Sequence, residues 1–292
     1  MEAATPYVQA PNQFIDVGGR TLAYRSVGRG KPILLCTRFR GSMDAWDPAF
    51  IDLLVAGGLR AITFDYTGWG LSGGERTMSP LDLARDARDL LEALDLHDAV
   101  IGGWSLGGMV AQVTLAMFPQ RISHCVLIAT TPPGHLVKMA EQLFFDTARH
   151  PHNGPDDEIV LFFEPRSEAS RAAAARSHAR IAERKEGRSP GIDAAWAAER
   201  LGSAPKNPVF PADGVLQMLQ HTTTPVLHIG GDHDIIFPVE NWYALNQQLP
   251  TLQLLTFPVS GHGPHHQYPE LAATYIAAFT GASSAVQPGS GA

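Results

Sequence analysis

The feature that most constrains this chain is the regular alternation, from Pro32 to Phe279, of short apolar runs with helix-like segments. Apolar runs fall at residues 33–36, 61–64, 100–104, 126–130, 225–229 and 252–257. Helical patterns lie near 46–56, 106–118, 239–249 and 269–279. Another follows Ser79-Pro80, a good N-cap and first-turn pair, with Leu83, Ala87, Leu90, Leu91 and Leu94 at helical spacing. The runs are continuously apolar rather than alternating. This predicts a mostly parallel sheet buried on both faces by helices, an α/β fold. Two further strands, 14–17 and 21–27, flank Gly18-Gly19 and read as a hairpin. The sheet is thus expected to have eight strands.

The alternation lapses between Pro132 and Thr224, where helix-like segments at 136–149, 168–185, 194–201 and 214–219 are separated by breaks at Pro151, Pro155, Pro165, Pro190, Pro205, Pro208 and Pro211. The expected partition is a first core part (12–133), a helical cap insertion (134–222), a second core part (223–281) and a flexible tail (282–292). The chain has 45% hydrophobic and 17% charged residues over its 292 positions, enough apolar side chain for a substantial core. A net charge of -7 argues against a nucleic-acid-binding surface or a polybasic membrane patch. Two cysteines, Cys36 and Cys125, sit inside apolar strands, which excludes a disulfide framework and fits a reducing compartment. The first residues lack the pattern of a signal peptide, and no apolar stretch approaches bilayer length. The expected location is the cytoplasm.

Chemistry concentrates at Gly103-Trp104-Ser105-Leu106-Gly107, placed between a predicted strand and a predicted helix. A serine on a sharp turn there projects its hydroxyl, the glycines remove side chains that would collide, and the Leu106 N–H at the helix start can stabilise an oxyanion. A serine nucleophile needs a base and an orienting acid. Gly261-His262-Gly263 follows the last strand and offers His262 as base; His265 and His266 are rivals expected to face the surface of the final helix. The turn Gly231-Asp232-His233-Asp234 offers Asp234 as acid, with Asp232 second, and residues 130–133 after the preceding strand carry no acid. No carboxylate joins the three histidines in a recognisable metal pattern, so neither metal nor cofactor is expected.

The order Ser105, Asp234, His262, with this layout and an insertion after the sixth strand, resembles the α/β-hydrolase fold over residues 12 to 280. Asp65-Tyr66-Thr67-Gly68-Trp69-Gly70-Leu71-Ser72 is similar to the family's Asp-x-Arg-Gly-x-Gly-x-Ser loop, and Gly261-His262 with Pro269-Glu270 to its histidine loop and last helix. A serine at position 105 separates the chain from haloalkane dehalogenases and epoxide hydrolases, which use aspartate there. One departure stands out: where the family usually carries His-Gly-Phe or His-Gly-Gly, this chain has Thr37-Arg38-Phe39-Arg40-Gly41-Ser42. The stretch is similar to one in a group of bacterial hydrolases sharing an Arg-Phe-Arg-Gly run. Alignment with the family assigns Phe39 the second oxyanion-hole N–H. Arg38 or Arg40 either binds a substrate carboxylate or tunes the oxyanion, or else forms a structural pair with Asp44, Asp47 or Asp65.

Gly68-x-Gly70-x-x-Gly73 matches a dinucleotide fingerprint, but five residues separate it from the Ser79 cap, so it does not open into a helix as such a site requires. In the insertion, Phe144, Phe145, Phe162, Phe163 and Trp196, with Trp104 and Phe237 from the core, either wall an apolar pocket above Ser105 or glue the cap to the sheet. Of these, Trp104, Phe144, Phe162 and Phe237 join Arg38 as candidate substrate-binding residues. Arg171, Arg176, Arg180 and Arg184 interleave with Glu168, Glu183 and Glu186 and read as a solvated helix face. The resemblance implies a serine hydrolase acting through an acyl-enzyme on a small to medium carboxylic ester or lactone. Perhydrolysis, C–C bond hydrolysis and acyl transfer use the same triad, and a non-catalytic receptor of the same descent is a further alternative. Expected partners are the small-molecule substrate alone, with neither nucleic acid nor membrane; homo-oligomerisation stays open.

Overall fold

The computed structural model describes residues 5–201 and 210–282, apart from the Ala194 side chain. The expected tail beyond 282 and the breaks at Pro205 and Pro208 lie outside them. Eight strands form one sheet: β1 (Gln13–Val17), β2 (Arg20–Val27), β3 (Lys31–Cys36), β4 (Leu59–Phe64), β5 (Ala99–Trp104), β6 (Ile122–Ile128), β7 (Val226–Gly231) and β8 (Leu252–Phe257). Their spatial order is β1-β2-β4-β3-β5-β6-β7-β8, with every pairing from β4 to β8 parallel and β2 antiparallel to both its neighbours.

The helices are α1 (Pro48–Ala56), α2 (Pro80–Ala93), α3 (Leu106–Met117), α4 (Gln142–Ala148), α5 (Pro155–Phe162), α6 (Glu168–Ala182), α7 (Ala194–Leu201), α8 (Ala212–His221), α9 (Glu240–Tyr243), α10 (Pro264–Gln267) and α11 (Pro269–Thr280). Continuous apolar strands bury both faces, and the side chains divide by strand parity. Leu34, Cys36, Ile62, Phe64, Ile101 and Leu127 pack under α2 and α3. Ile33, Leu35, Ala61, Val100, Val126 and Ile128 pack on the opposite face, under α1 and α11. Both cysteines are buried free thiols.

Local signals set the helix starts. Ser79 accepts from the Asp82 N–H at 3.3 Å, and Pro80 occupies the first turn of α2. The same chemistry explains a helix that the sequence pattern hid: Pro155 begins α5 rather than breaking the chain, because a first-turn proline lacks only an N–H that would be unpaired anyway. Conversely, the segment expected to be helical over 239–249 is helix only at α9, and the long 136–149 segment contracts to α4.

Helices α4 to α8 lie between β6 and β7 in sequence. Arg180 of α6 donates from Nε to Asp47 Oδ1 at 2.8 Å, and that carboxylate is wholly buried at the start of α1. Arg184 donates from Nη1 to the Ala10 and Val8 carbonyls at 2.9 and 3.1 Å. These two arginines therefore do not belong to a solvated face as expected; Arg171 and Arg176 are exposed. The expectation failed because Arg180 faces the buried Asp47, and because α6 ends at Ala182, which lets Arg184 reach back to the first residues.

Candidate active site

The switch in strand order at β3, whose successor β4 lies on one side and β5 on the other, opens a crevice at the carboxyl ends of β3 and β5. Ser105 follows β5 there, at φ 60 and ψ -121, a conformation rare for a residue with a Cβ and costing about 1–3 kcal/mol. Surrounding contacts impose it. The Ser105 N–H donates to Ile128 O at 2.9 Å, and its carbonyl accepts from Thr130 Oγ1 at 2.6 Å. The elbow is also too tight for side chains at its glycines: a Cβ on Gly103 would lie 1.9 Å from Gly107 O, and one on Gly107 would lie 1.9 Å from Cys36 O. That second approach brings the elbow against the loop after β3, which carries Arg38 and Phe39. Leu106 is the first residue of α3, so its N–H has no intrahelical acceptor and faces the helix's positive end.

Asp234 follows β7 and His262 follows β8. Asp234 Oδ2 lies 2.8 Å from His262 Nδ1, while its Oδ1 accepts from the Ile236 and Phe237 N–H groups at 2.8 and 2.9 Å. Both side chains are almost fully buried. Engagement of Nδ1 leaves Nε2 available to exchange a proton, and among the described residues Nε2 has no hydrogen-bond partner. Ser105 and His262 line one cavity of about 370 Å³ and make no hydrogen bond to each other; a serine-histidine contact of this kind often tightens only around a bound substrate. Asp232 is occupied elsewhere, with Oδ1 2.6 Å from His233 Nδ1 and 3.3 Å from the Ser260 N–H.

The rival histidines are not at the surface. His265 is wholly buried, its ring edge-on to Trp104, Phe50 and Trp46 at centroid distances of 4.6, 5.0 and 5.5 Å. Burial pushes its pKa well below the usual histidine value, with His266, His262 and Arg38 adding to the effect. His266 is buried too, with Nδ1 3.1 Å from Ser177 Oγ of α6, and burial pushes it down to about 4. Both serve the packing beneath the site. The expectation failed because α10 turns this segment inward before α11 begins. Among the described residues no three His, Cys, Asp or Glu side chains gather as a metal site would require.

Of the expected cavity residues, Phe39, Arg38, Phe144, Phe162 and Phe237 line the space above Ser105, joined by Phe145. Leu106 lines it as well. Trp104 does not line this cavity: its Nε1 donates to the His262 carbonyl at 2.7 Å, fixing the loop that carries His262. Phe163 and Trp196 also lie outside this cavity. Sequence reasoning missed Met78, Met109, Leu161 and Ile236, which complete the apolar wall. Only their apolar character marked them, and that is shared with the core.

Neither Arg38 nor Arg40 forms the acid pair expected of a structural arginine. Asp44 pairs with Arg25 at 2.7 Å and Asp47 with Arg180. Asp65 accepts from the Met43 and Leu71 N–H groups and from Ser189 Oγ at 2.8, 2.9 and 2.6 Å. Gly70 belongs to that last arrangement, since a Cβ there would fall 2.2 Å from Asp65 Oδ2. The glycine-rich loop thus closes around a buried carboxylate, and the next helix starts only at Pro80. Arg40 instead donates to Ala148 O and Asn153 Oδ1 at 3.0 and 2.8 Å, closing the carboxyl end of α4.

A mostly parallel eight-stranded sheet, a serine elbow after β5 and an Asp-His pair from the loops after β7 and β8 define an α/β-hydrolase architecture. Residues 31–269 match the family model described as alpha/beta hydrolase fold, and the chain belongs to that family. A Mycobacterium tuberculosis protein named "Putative non-heme bromoperoxidase BpoC" is 26% identical over 275 residues, covering 88% of this chain and 97% of the relative. The pimeloyl-[acyl-carrier protein] methyl ester esterase of Nitrosomonas europaea is 29% identical over 187 residues, 58% of this chain and 66% of that protein. Among solved structures, an alpha/beta hydrolase fold protein from Chitinophaga pinensis has a TM-score of 0.80 at 28% identity, covering 94% of this chain and 98% of its own.

Proposed function

We propose that the protein is a serine hydrolase that cleaves a small to medium carboxylic ester or lactone through an acyl-enzyme on Ser105. The observation that carries this reading is His262, bound to buried Asp234 through Nδ1 with Nε2 unengaged, lining the same cavity as a serine held at φ 60. In the first half-reaction His262 Nε2 takes the Ser105 proton as Oγ bonds to the carbonyl carbon; the alkoxy leaving group departs with that proton. Water, deprotonated by the same nitrogen, then releases the acid and restores Ser105. Asp234 holds the imidazole orientation and stabilises its cation, and the Leu106 and Phe39 N–H groups receive the oxyanion.

A cavity of about 370 Å³ with largely apolar walls suits a small acyl or alkyl group. The N. europaea relative, by its name an esterase, supports the same chemistry. The name of the M. tuberculosis relative favours a second reading, perhydrolysis, in which hydrogen peroxide replaces water and the acyl group leaves as a peracid. A panel of nitrophenyl esters, lactones and diketones, run with and without peroxide, tests both. Short esters turn over in the expected outcome. Peracid in place of acid transfers the assignment to perhydrolysis, cleavage of the diketones alone transfers it to C–C hydrolysis, and no turnover of any compound contradicts it.

A further inference from the structure

Among the described residues Arg38 makes no ion pair, and of the nearby carboxylates only Glu158 acts on it, through charge without a hydrogen bond. Its guanidinium carbon lies 4.6 Å from the Phe162 ring centroid and 5.2 Å from that of Trp104, so two aromatic faces take the place of water. Nη1 donates to Phe39 O at 2.9 Å, but Nε is buried with no acceptor. The nearby carboxylates have other hydrogen-bond partners: Asp44 has Arg25, Asp47 has Arg180, Asp65 has three donors, and Glu158 has His178 at 2.6 Å. Burial accordingly pushes its pKa down to about 10, with Arg40 adding to the effect and Glu158 opposing it.

Position gives this charge a use. Arg38 lines the cavity that holds Ser105 and His262, and it also lines a second cavity of about 790 Å³ shared between cap and core. Arg40, Arg184, Lys185 and Arg188 border that second space against two acids, Asp44, which pairs with Arg25, and Glu158, which is hydrogen-bonded to His178. An approaching anion therefore meets net positive charge, with an underused guanidinium fork at the inner end. A desolvated guanidinium gains most from a carboxylate, which accepts two parallel N–H bonds.

We propose that Arg38 recognises a free carboxylate on the substrate, which makes the preferred substrate a half-ester of a short dicarboxylic acid or a lactone bearing a carboxylate. This rests on the serine hydrolase reading for the cleavage step but not for the binding step. The test compares kcat/KM for monomethyl esters of C4 to C8 dicarboxylic acids with that for the matching dimethyl esters, in the wild type, R38Q and R38K. The wild-type ratio favours the monoester by at least about 10-fold, and R38Q lowers that ratio by about 10- to 100-fold, the range of a charge-assisted hydrogen bond. R38K keeps charge without the fork and lowers it by a smaller factor; if R38Q does not fold, this comparison decides. A wild-type ratio near one, or a ratio that R38Q leaves unchanged, overturns the proposal. Calorimetric binding of glutarate separates the two failures. If no ester is cleaved, glutarate bound by the wild type and lost in R38Q sustains the anion site while the hydrolase reading falls; binding that is absent or equal in both overturns the site.

Discussion

Three side chains from three loops meet at this site, and each is prepared by a contact made elsewhere. Thr130 and Ile128 hold the Ser105 peptide, Trp104 holds the His262 carbonyl, and the Ile236 and Phe237 amides hold Asp234. Asp234→Asn preserves the shape but removes the charge that fixes the imidazole and stabilises its cation. We expect kcat on a nitrophenyl ester to fall by about 10³- to 10⁴-fold; a loss below tenfold contradicts the role of Asp234. The positions of Ser105, Asp234 and His262 at the ends of β5, β7 and β8 were legible in sequence because they sit at fixed points of the strand-helix alternation. Trp104 was not, because its place inside the motif said nothing of whether the ring turns toward the cavity or behind it. His265 and His266 misled for a related reason. Polarity suggested the surface, but aromatic partners far away in sequence receive both rings.

At the scale of elements, strands were more legible than helices. A buried parallel strand announces itself by a continuous apolar run, whereas of the helices between β6 and β7 only α6 is long, and the others have 7 to 10 residues. Ion pairs across long sequence separations escape local patterns altogether, as Arg180–Asp47 shows. That pair fastens α6 to the start of α1. Arg180 is 26% exposed on its side chain while Asp47 is fully buried, so Arg180→Ala strands a buried carboxylate. The expected cost is about 3 kcal/mol, read as a lower denaturation midpoint. Burial alone would raise the Asp47 pKa; the Arg180 hydrogen bond and charge, with His266 nearby, hold it below the usual carboxylate value instead. The pair's contribution is therefore present above the unfolded carboxylate pKa and lost as pH falls through the lower folded one. An Arg180→Ala midpoint equal to wild type at neutral pH contradicts this role.

For the molecule as a whole, buried neutral histidines set the response to acid. His228 is pushed down to about 3 and His266 to about 4, chiefly by burial, and His265 lies well below the usual value. Unfolded histidines take up protons near pH 6.5, so below that pH the unfolded chain binds protons that the folded one refuses. Stability is then complete above about 6.5 and declines toward the folded values, by about 1 kcal/mol per histidine at pH 5.5. Between pH 7.5 and 5.5 the melting temperature is expected to drop by roughly 6 °C; a flat profile contradicts the neutral burial. Ser105 precedes helices α4 to α8 in sequence while Asp234 and His262 follow them, so the candidate site needs both parts of the sheet. The most direct test of the central claim is intact-mass measurement after exposure to a fluorophosphonate, for the wild type and Ser105→Ala. The account predicts one stoichiometric phosphonyl adduct on the wild type and none on the variant; an unlabelled wild type, or an equally labelled Ser105→Ala, would contradict it.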